Sequence, residues 1–448
     1  MKVVVQHRVS LLIISFVAVT SAAWAVFIPW TWSTIDDPGF VLLLQERLQS
    51  SNILGVVWGQ TLAAAVAEPE WGVFRPAYWL YQSTVYLLPV DVVHGLRMSM
   101  FLVAIIGPLV FLHRKGRDTK QLVFAAVTLG IAAAPLSRGL FFLSLQELSG
   151  AAFIGLGLMA RGPIFRTVLW TIAAWFKSPF SWLLIGYAVI LWRKGERKLA
   201  VVNAAIGIST LGIAVFIARE GNYTSPRVRD GIWQILDAAY NNGLRVFETP
   251  TALLLLTVIW WVLWTKGSLR WRPMGIVLGF GWVGYTAQMT QWEVTSYYFG
   301  PILFLLGVFL VFTLRNKVQV VGPQLWLAFT LPLLVLIVQL GGAIQDGLKT
   351  NGTLISIENC ILQLGPRDYE LAGEMLNVVT PEGAIRIQEN MMLRENSWTG
   401  RVTFPASQDS ADQNPEYLIL VGDSPAPAGF SSVPSCSSST VKVLSGLE

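Results

Sequence analysis

The chain has 448 residues, of which 54% are hydrophobic and 13% are charged, and its formal net charge is +5. Soluble domains carry about 25% charged residues, so this composition excludes an ordinary soluble enzyme. Apolar runs of about 20 residues, long enough to cross a hydrocarbon core about 30 Å thick, recur along the sequence and predict a polytopic membrane protein.

Eleven apolar segments are predicted to span the membrane. The first follows a basic start and contains Ala23-Trp24-Ala25, as a cleavable signal peptide would. Its apolar character continues as far as Trp30, which favours an uncleaved first helix. In chain order the predicted spans are 10–31, 92–112, 121–137, 147–160, 164–180, 181–192, 200–218, 250–265, 274–290, 296–314 and 323–342.

Basic residues occupy every second gap between these segments. If the N-terminus is cytoplasmic, every cytoplasmic loop is basic, as the positive-inside rule requires. The net positive charge is therefore better explained by membrane topology than by nucleic-acid binding. The sequence predicts a multi-pass protein of the inner (cytoplasmic) membrane with a cytoplasmic N-terminus and an extracytoplasmic C-terminus.

Two outer loops are long enough to hold structure of their own. The first runs from Trp32 to about Asp91 and contains "FVLLLQERLQ" and "PAYWLYQSTVYLLPV", two amphipathic stretches that predict helices lying in the membrane interface. The second runs from Arg219 to Pro250 and has a helix-like centre.

The tail after about Gly342 differs in composition from the rest. "RDYELAGEMLNVVTPEG", residues 367–383, is typical of an amphipathic helix, and "AIRIQE" and "YLILVGD" are typical of strands. The predicted architecture is therefore an α-helical membrane domain, residues 1–342, followed by a small extracytoplasmic α/β domain, residues 343–448. Cys360 and Cys436 both lie in the tail, and an extracytoplasmic location allows a disulfide or two free thiols.

Two adjacent acids, Asp36 and Asp37, follow the first predicted span and precede Pro38-Gly39. Charge is costly beside an apolar segment, so such a pair is a candidate functional site. The alternative is a pair of solvated loop acids, one of which caps the helix that follows.

The order of such features resembles the GT-C superfamily of integral membrane glycosyltransferases, which use polyprenyl-phosphate-linked sugars. The acidic pair after the first span is followed by Gly72-Val73-Phe74-Arg75-Pro76, then by Gln146-Glu147-Leu148 and by Lys177-Ser178-Pro179-Phe180. The resemblance covers roughly residues 10 to 315, and no family is apparent for the tail. It implies that one acid of the Asp36-Asp37 pair is the catalytic base.

The chemistry implied by the resemblance suits these residue types. A carboxylate can take the proton of an attacking hydroxyl, and fixed cations can stabilise the departing lipid phosphate. We assign Asp36 as the base and expect Asp37 to orient an acceptor or a metal. The candidates for binding the donor phosphate are Arg75, Arg138, Lys177 and Arg245. The candidates for binding substrate are Glu147, Glu293, Tyr297 and Tyr298.

Each of these candidates has a structural alternative. The cations could snorkel toward lipid headgroups, Glu147 could favour a helix N-terminus, and Tyr297 and Tyr298 could belong to an aromatic belt. No cofactor and no metal are predicted, although the acids could hold a divalent cation through oxygen ligands. The expected partners are a polyprenyl-phosphate sugar donor, a glycan, lipid or protein acceptor, and membrane lipid, but not nucleic acid.

Two other functions fit a polytopic protein. A transporter or flippase for a lipid-linked or polyol substrate would place ionisable residues near the middle of its spans, whereas here the charges gather at their ends. An assembly protein that works through its tail would not need the acidic pair. The sequence leaves open the sugar, the acceptor, the lipid length and the stereochemistry.

Overall fold

A computed structural model describes most of the chain. The described residues are 2–32, 37–71, 73–117, 119–143, 145–220, 232–247, 268–269, 273–289, 299–315, 323–373, 378–395, 398–404, 417–421, 430–433, 436 and 441–446. The predicted span 250–265 lies outside them, so the count of eleven spans stays a prediction.

The described part of the chain is mostly helical. Its helices are α1 (Lys2–Phe27), α2 (Asp37–Ser50), α3 (Ile53–Trp71), α4 (Pro76–Val85), α5 (Val90–Arg114), α6 (Thr119–Ala133), α7 (Gln146–Met159), α8 (Pro163–Phe176), α9 (Ser181–Arg193), α10 (Arg197–Glu220), α11 (Ile232–Phe247), α12 (Pro273–Met289), α13 (Phe299–Thr313), α14 (Pro323–Leu364) and α15 (Pro381–Arg394). A 3₁₀ turn, Ala134–Leu140, extends α6, and another, Ser178–Phe180, joins α8 to α9. The described helices overlap ten of the eleven predicted spans, and α2, α4 and α11 confirm the helices predicted in the two outer loops, whereas α3 in the first loop was not predicted.

Several helices have the length and surface of membrane spans. Among the described residues, Val90–Arg114, Gln121–Leu140 and Arg197–Ala218 are long and apolar enough to cross a membrane. Large apolar side chains also point outward from the bundle, including Phe165 at 72% exposure and Phe216 at 68%. An outward apolar surface of this kind suits contact with lipid.

The helices pack around one apolar core formed mainly by α5, α6, α7, α8, α9, α12 and α13. Helices α5 and α7 cross closely, because a Cβ at Gly107 would overlap the carbonyl oxygen of Gly155. Small residues allow backbones to approach in this way. The crossing lies in the second half of α7, near Gly155.

The C-terminal domain contains a five-stranded mixed sheet. Its strands are β3 (Asp368–Gly373), β4 (Arg401–Thr403), β5 (Tyr417–Val421), β6 (Phe430–Ser432) and β7 (Val441–Gly446), in the order β4-β3-β5-β7-β6. Strand β3 is parallel to β4 and β5, and β7 is antiparallel to β5 and β6. A separate pair of two-residue strands, β1 (Ser268–Leu269) and β2 (Leu314–Arg315), lies in the membrane part of the sequence.

Two secondary-structure predictions in the tail are wrong. Residues 368–373, predicted as helix, form strand β3, in which Tyr369 and Leu371 are buried alternately. Residues 384–389, predicted as strand, belong to helix α15, whose buried Ala384, Ile387 and Met391 follow a helical spacing. The strand predicted at 417–423 is confirmed as β5.

A single helix, α14, crosses the predicted domain boundary at 342/343. Its last turns bury Leu354, Ile357 and Ile361 in the core of the C-terminal domain. The helix ends at Gly365, which adopts a φ of 84° and whose N–H bonds to the Ile361 carbonyl, as a C-terminal glycine commonly does. Cys360 and Cys436 are buried free thiols there, with the Cys360 thiol 2.7 Å from the Cys436 carbonyl oxygen.

Candidate active site

Asp37 is the first residue of α2 and is fully buried. Its Oδ1 accepts a hydrogen bond of 2.5 Å from the hydroxyl of Tyr86, which follows α4. Trp32 and Phe40 lie against the same tyrosine ring. Asp37 is therefore not a solvated loop acid, because apolar and aromatic groups enclose it.

Tyr86 remains a hydrogen-bond donor over the whole physiological pH range. Its burial and, second, the nearby Asp37 carboxylate raise the pKa of its phenol well above the ordinary value. A neutral phenol beside a buried carboxylate provides the hydrogen bond that a buried charge requires. The Tyr86 hydroxyl therefore holds Asp37 in one orientation.

Arg97 is buried near this pair, in the second turn of α5, and is only 1% exposed. Its guanidinium donates to the carbonyl oxygens of Leu143 and Leu145, each at 2.5 Å, and to Ser149 Oγ at 2.8 Å. Together these bonds fix the chain that enters α7. Arg97 also contributes positive charge close enough to affect Tyr86.

A buried ion pair lies at the same end of α7. Glu147 Oε1 is 2.8 Å from Lys177 Nζ, and both side chains are less than a tenth exposed. Arg75 lies close enough to act on the charge of Glu147, and its backbone N–H bonds to Glu68, which also accepts from Trp79 Nε1. Residues that are far apart in the sequence thus form one charged site.

We call Asp37, Tyr86, Arg97, Glu147 and Lys177 the acid–base cluster. Three buried polar atoms around it have no hydrogen-bond partner within the described part of the chain: Gln82 Oε1, Ser83 Oγ and Gln146 Oε1. Buried polar atoms are almost always bonded in folded proteins. Water or a polar ligand is therefore expected at these atoms, which makes the cluster the strongest candidate for a binding site.

The other predicted site residues lie elsewhere or outside the described residues. Arg138 and Arg245 are exposed, on the 3₁₀ turn after α6 and on α11, so the burial that distinguishes Lys177 is missing at both. Asp36, Glu293, Tyr297 and Tyr298 lie outside the described residues, and their roles stay predictions.

The metal prediction is also untested. Within the described ranges, which omit Asp36, no group of three or more His, Cys, Asp and Glu side chains could hold a metal ion.

Sequence reasoning missed two members of the cluster, Arg97 and Tyr86. A signal for Arg97 existed, because it is the one Lys, Arg, Asp or Glu between Val92 and Leu112, and an ionisable residue inside an apolar span is a functional candidate. Tyr86 gave no such signal, since tyrosines near a membrane interface are common.

Comparison with known proteins adds one distant likeness. No protein-family model and no curated protein matches the chain. The fold is similar to the crystal structure of ArnT from Cupriavidus metallidurans bound to undecaprenyl phosphate, over 98% of each chain, with 12% identity and a TM-score of 0.43. A likeness at this level establishes neither a family nor an activity, so the function proposed below rests on the residues of this chain.

Proposed function

We propose that the protein is a membrane glycosyltransferase that moves a sugar from a polyprenyl-phosphate donor to a glycan, lipid or protein acceptor. The reaction takes place at the outer face of the inner membrane. The observation that supports this proposal most directly is the acid–base cluster, which buries charge at one end of an apolar helical bundle. Buried charges are costly and are concentrated where proteins do chemistry.

In this proposal Asp36 is the general base. It takes the proton from the acceptor hydroxyl as that oxygen bonds to the anomeric carbon of the sugar, and the carbon–phosphate oxygen bond breaks. The lipid phosphate leaves as a stable anion and needs no acid. Asp37 is held by Tyr86 and orients the start of α2. Asp36 directly precedes that start in the sequence.

The growing negative charge of the leaving phosphate requires cations. Lys177 and Arg75 are the two candidates near Glu147, and a cation fixed in a water-poor site stabilises a developing anion strongly. Arg97 has a different role, because its guanidinium is bonded to carbonyl oxygens. It positions the start of α7, which carries Glu147.

The charge distribution disfavours the transport alternative. Helices α12 and α13 contain no Asp, Glu, Lys or Arg, and α10 has such residues only in its first and last turns. A coupling-ion pathway would require ionisable groups free to bind the ion within the spans. The one Asp, Glu, Lys or Arg in the predicted span 92–112 is Arg97, which is instead bonded to carbonyl oxygens.

The test is a transfer assay with purified protein in detergent, polyprenyl-phosphate sugars and a panel of acceptors. Asp36→Asn is expected to lower kcat by about 10²- to 10⁴-fold, the usual contribution of a general base. Glu46→Gln is the matched control, because Glu46 is an exposed acid on α2, and its rate is expected to stay within about twofold of wild type. Full activity of Asp36→Asn would reject the base assignment. If the protein transfers sugar from none of the donors but still transports sugar or lipid, the proposal that it is a glycosyltransferase would be rejected.

A further inference from the structure

The C-terminal domain contacts the chain just before the acidic pair. Asn351 of α14 donates to the Pro29 carbonyl at 2.6 Å and accepts from the Thr31 N–H at 3.3 Å. The Thr31 hydroxyl donates to Glu358, 2.8 Å from Oε1 and 3.0 Å from Oε2. Residues more than 300 positions apart thus fix the exit from the first helix.

Helix α15 makes a further contact with the same stretch. Asn390 Nδ2 donates to the Trp32 carbonyl at 3.2 Å, and Asn390 is only 2% exposed. Arg394, one turn later, holds the Glu358 carboxylate at 3.0 Å. The backbone on the N-terminal side of 33–36 is therefore bonded by two helices of the C-terminal domain.

The same domain also covers the C-terminal side of 33–36. A Cβ on Gly39 would lie 2.6 Å from Arg386 Nη1 and 2.6 Å from Glu389 Oε1, so α15 lies directly on the first turn of α2. Leu393 of α15 packs on the apolar group that includes Val41 and Leu44. The described residues on either side of 33–36, Trp32 and the first turn of α2, are therefore both contacted by one domain.

We propose that the C-terminal domain is part of the active site, with Asn390 and Glu358 as positioning residues that hold Trp32 and Thr31 beside the acid–base cluster, where the Trp32 ring packs on Tyr86. This inference rests on the proposed function and deepens it. A displacement of about 1 Å in a reacting group can cost about 100-fold in rate, so contacts on both flanks of a four-residue segment are sufficient to affect catalysis. A domain that only anchored itself to the membrane part would not need to bond the backbone at Trp32.

The test compares two substitutions on one helix. Asn390→Ala removes the bond to Trp32, whereas Gln388→Ala removes a bond of equal length, 3.2 Å, to the N–H of Val402 inside the C-terminal domain. We expect Asn390→Ala to lower kcat about tenfold or more with the KM for the donor within about twofold, and Gln388→Ala to leave kcat within about twofold. Equal kcat for the two variants at equal melting temperature would overturn the proposal.

A second matched pair of substitutions changes the side-chain volume less. Thr31→Val removes the hydroxyl that bonds Glu358, and Thr350→Val removes a nearby hydroxyl that bonds only within its own helix, to the Asp346 carbonyl at 2.9 Å. We expect the kcat of Thr31→Val to fall severalfold more than that of Thr350→Val. A larger fall in Thr350→Val would count against the positioning role.

Hydrogen exchange measured by mass spectrometry separates this inference from the proposed function. In Asn390→Ala, amide exchange in a peptide covering residues 30–45 is expected to speed up at least about fivefold, because the backbone there loses a fixed partner, and Gln388→Ala is expected to leave that peptide unchanged. If wild type has no transferase activity but exchange responds, the proposed function fails and the positioning contact stands. If wild type is active and neither exchange nor kcat responds, the inference fails alone.

Discussion

The two ends of the helical bundle differ in whether their charged side chains are buried or exposed. At one end the acid–base cluster buries Asp37, Arg97, Glu147 and Lys177. At the other end, Arg114, Lys115, Arg161, Arg193, Lys194, Arg197 and Lys198 are exposed in the loops. Exposed charges in short loops set orientation in the membrane, whereas buried charges must be held by partners. The end with buried charges is therefore the candidate site.

Arg166 is an exception to this contrast between buried and exposed charges. It lies near the basic end, half-buried, and donates to the carbonyl oxygens of Gly157 at 2.9 Å and Ala160 at 2.8 Å. These acceptors are in the last turn of α7 and just after it, where a helix leaves carbonyls unpaired. Its contacts are explained by helix capping, so a partly buried arginine alone does not indicate a site.

The largest expected effect comes from Arg97→Met. This change leaves several buried carbonyl oxygens without a donor and removes the positive charge near Asp37. The free energy of unfolding should therefore fall by about 3–5 kcal/mol. Arg114→Met is the control at the basic end, where the side chain is exposed and bonds the Met159 carbonyl. This substitution should lower the free energy of unfolding by less than about 1 kcal/mol. Thermal unfolding in detergent measures both, and equal costs would remove the contrast between the ends.

Next is the Glu147–Lys177 pair. Glu147→Gln removes the carboxylate charge that faces the buried Lys177 ammonium and should lower the free energy of unfolding by about 3 kcal/mol, and Lys177→Met should lower it by a similar amount. The double variant should recover most of that stability, because neither charge remains. If Lys177 binds the donor phosphate, the double variant regains its melting temperature but not its transfer activity. Recovery of both would assign the pair a purely structural role.

A smaller effect concerns pH and Glu358. Burial raises the pKa of this carboxyl from 4.5 to about 7, against the opposing influence of Thr31 and Arg394. A raised pKa means that the folded state holds the proton more tightly, so stability is lost as pH rises from about 4.5 to about 7. The loss is about 3 kcal/mol at most. Glu358→Gln should flatten the dependence of melting temperature on pH between 5 and 8, and an unchanged slope would show that another group is responsible.

The smallest effect is expected at the basic end. Arg193→Gln with Lys194→Gln should change stability by no more than about 0.5 kcal/mol, since both side chains are exposed. Their expected contribution is to the orientation of the protein in the membrane, which cysteine-accessibility labelling on both sides of the membrane would report. Labelling of the C-terminal domain from the cytoplasm would reverse the predicted topology and move the site to the other face.

Part of the candidate site was accessible to sequence reasoning. Asp37, Glu147 and Lys177 were selected as charged residues at the ends of apolar segments, and all three are buried in the structure. Arg97 was hidden inside a predicted span, and Tyr86 looked like an ordinary interfacial aromatic residue. In the tail, "AIRIQE" alternates like a strand over six residues, but the longer pattern to Met391 is helical.

The sequence by itself predicted the class of protein and most helices of the membrane part, because hydrophobic length and loop charge act locally along the chain. Only the tertiary structure decided which charges meet. Lys177, which follows α8, contacts Glu147 at the start of α7. Thr31 contacts Glu358, although most of the sequence separates them. Such contacts depend on how apolar helix faces pack against one another, as at Gly107 and Gly155, and packing of that kind leaves no periodic signal in the sequence.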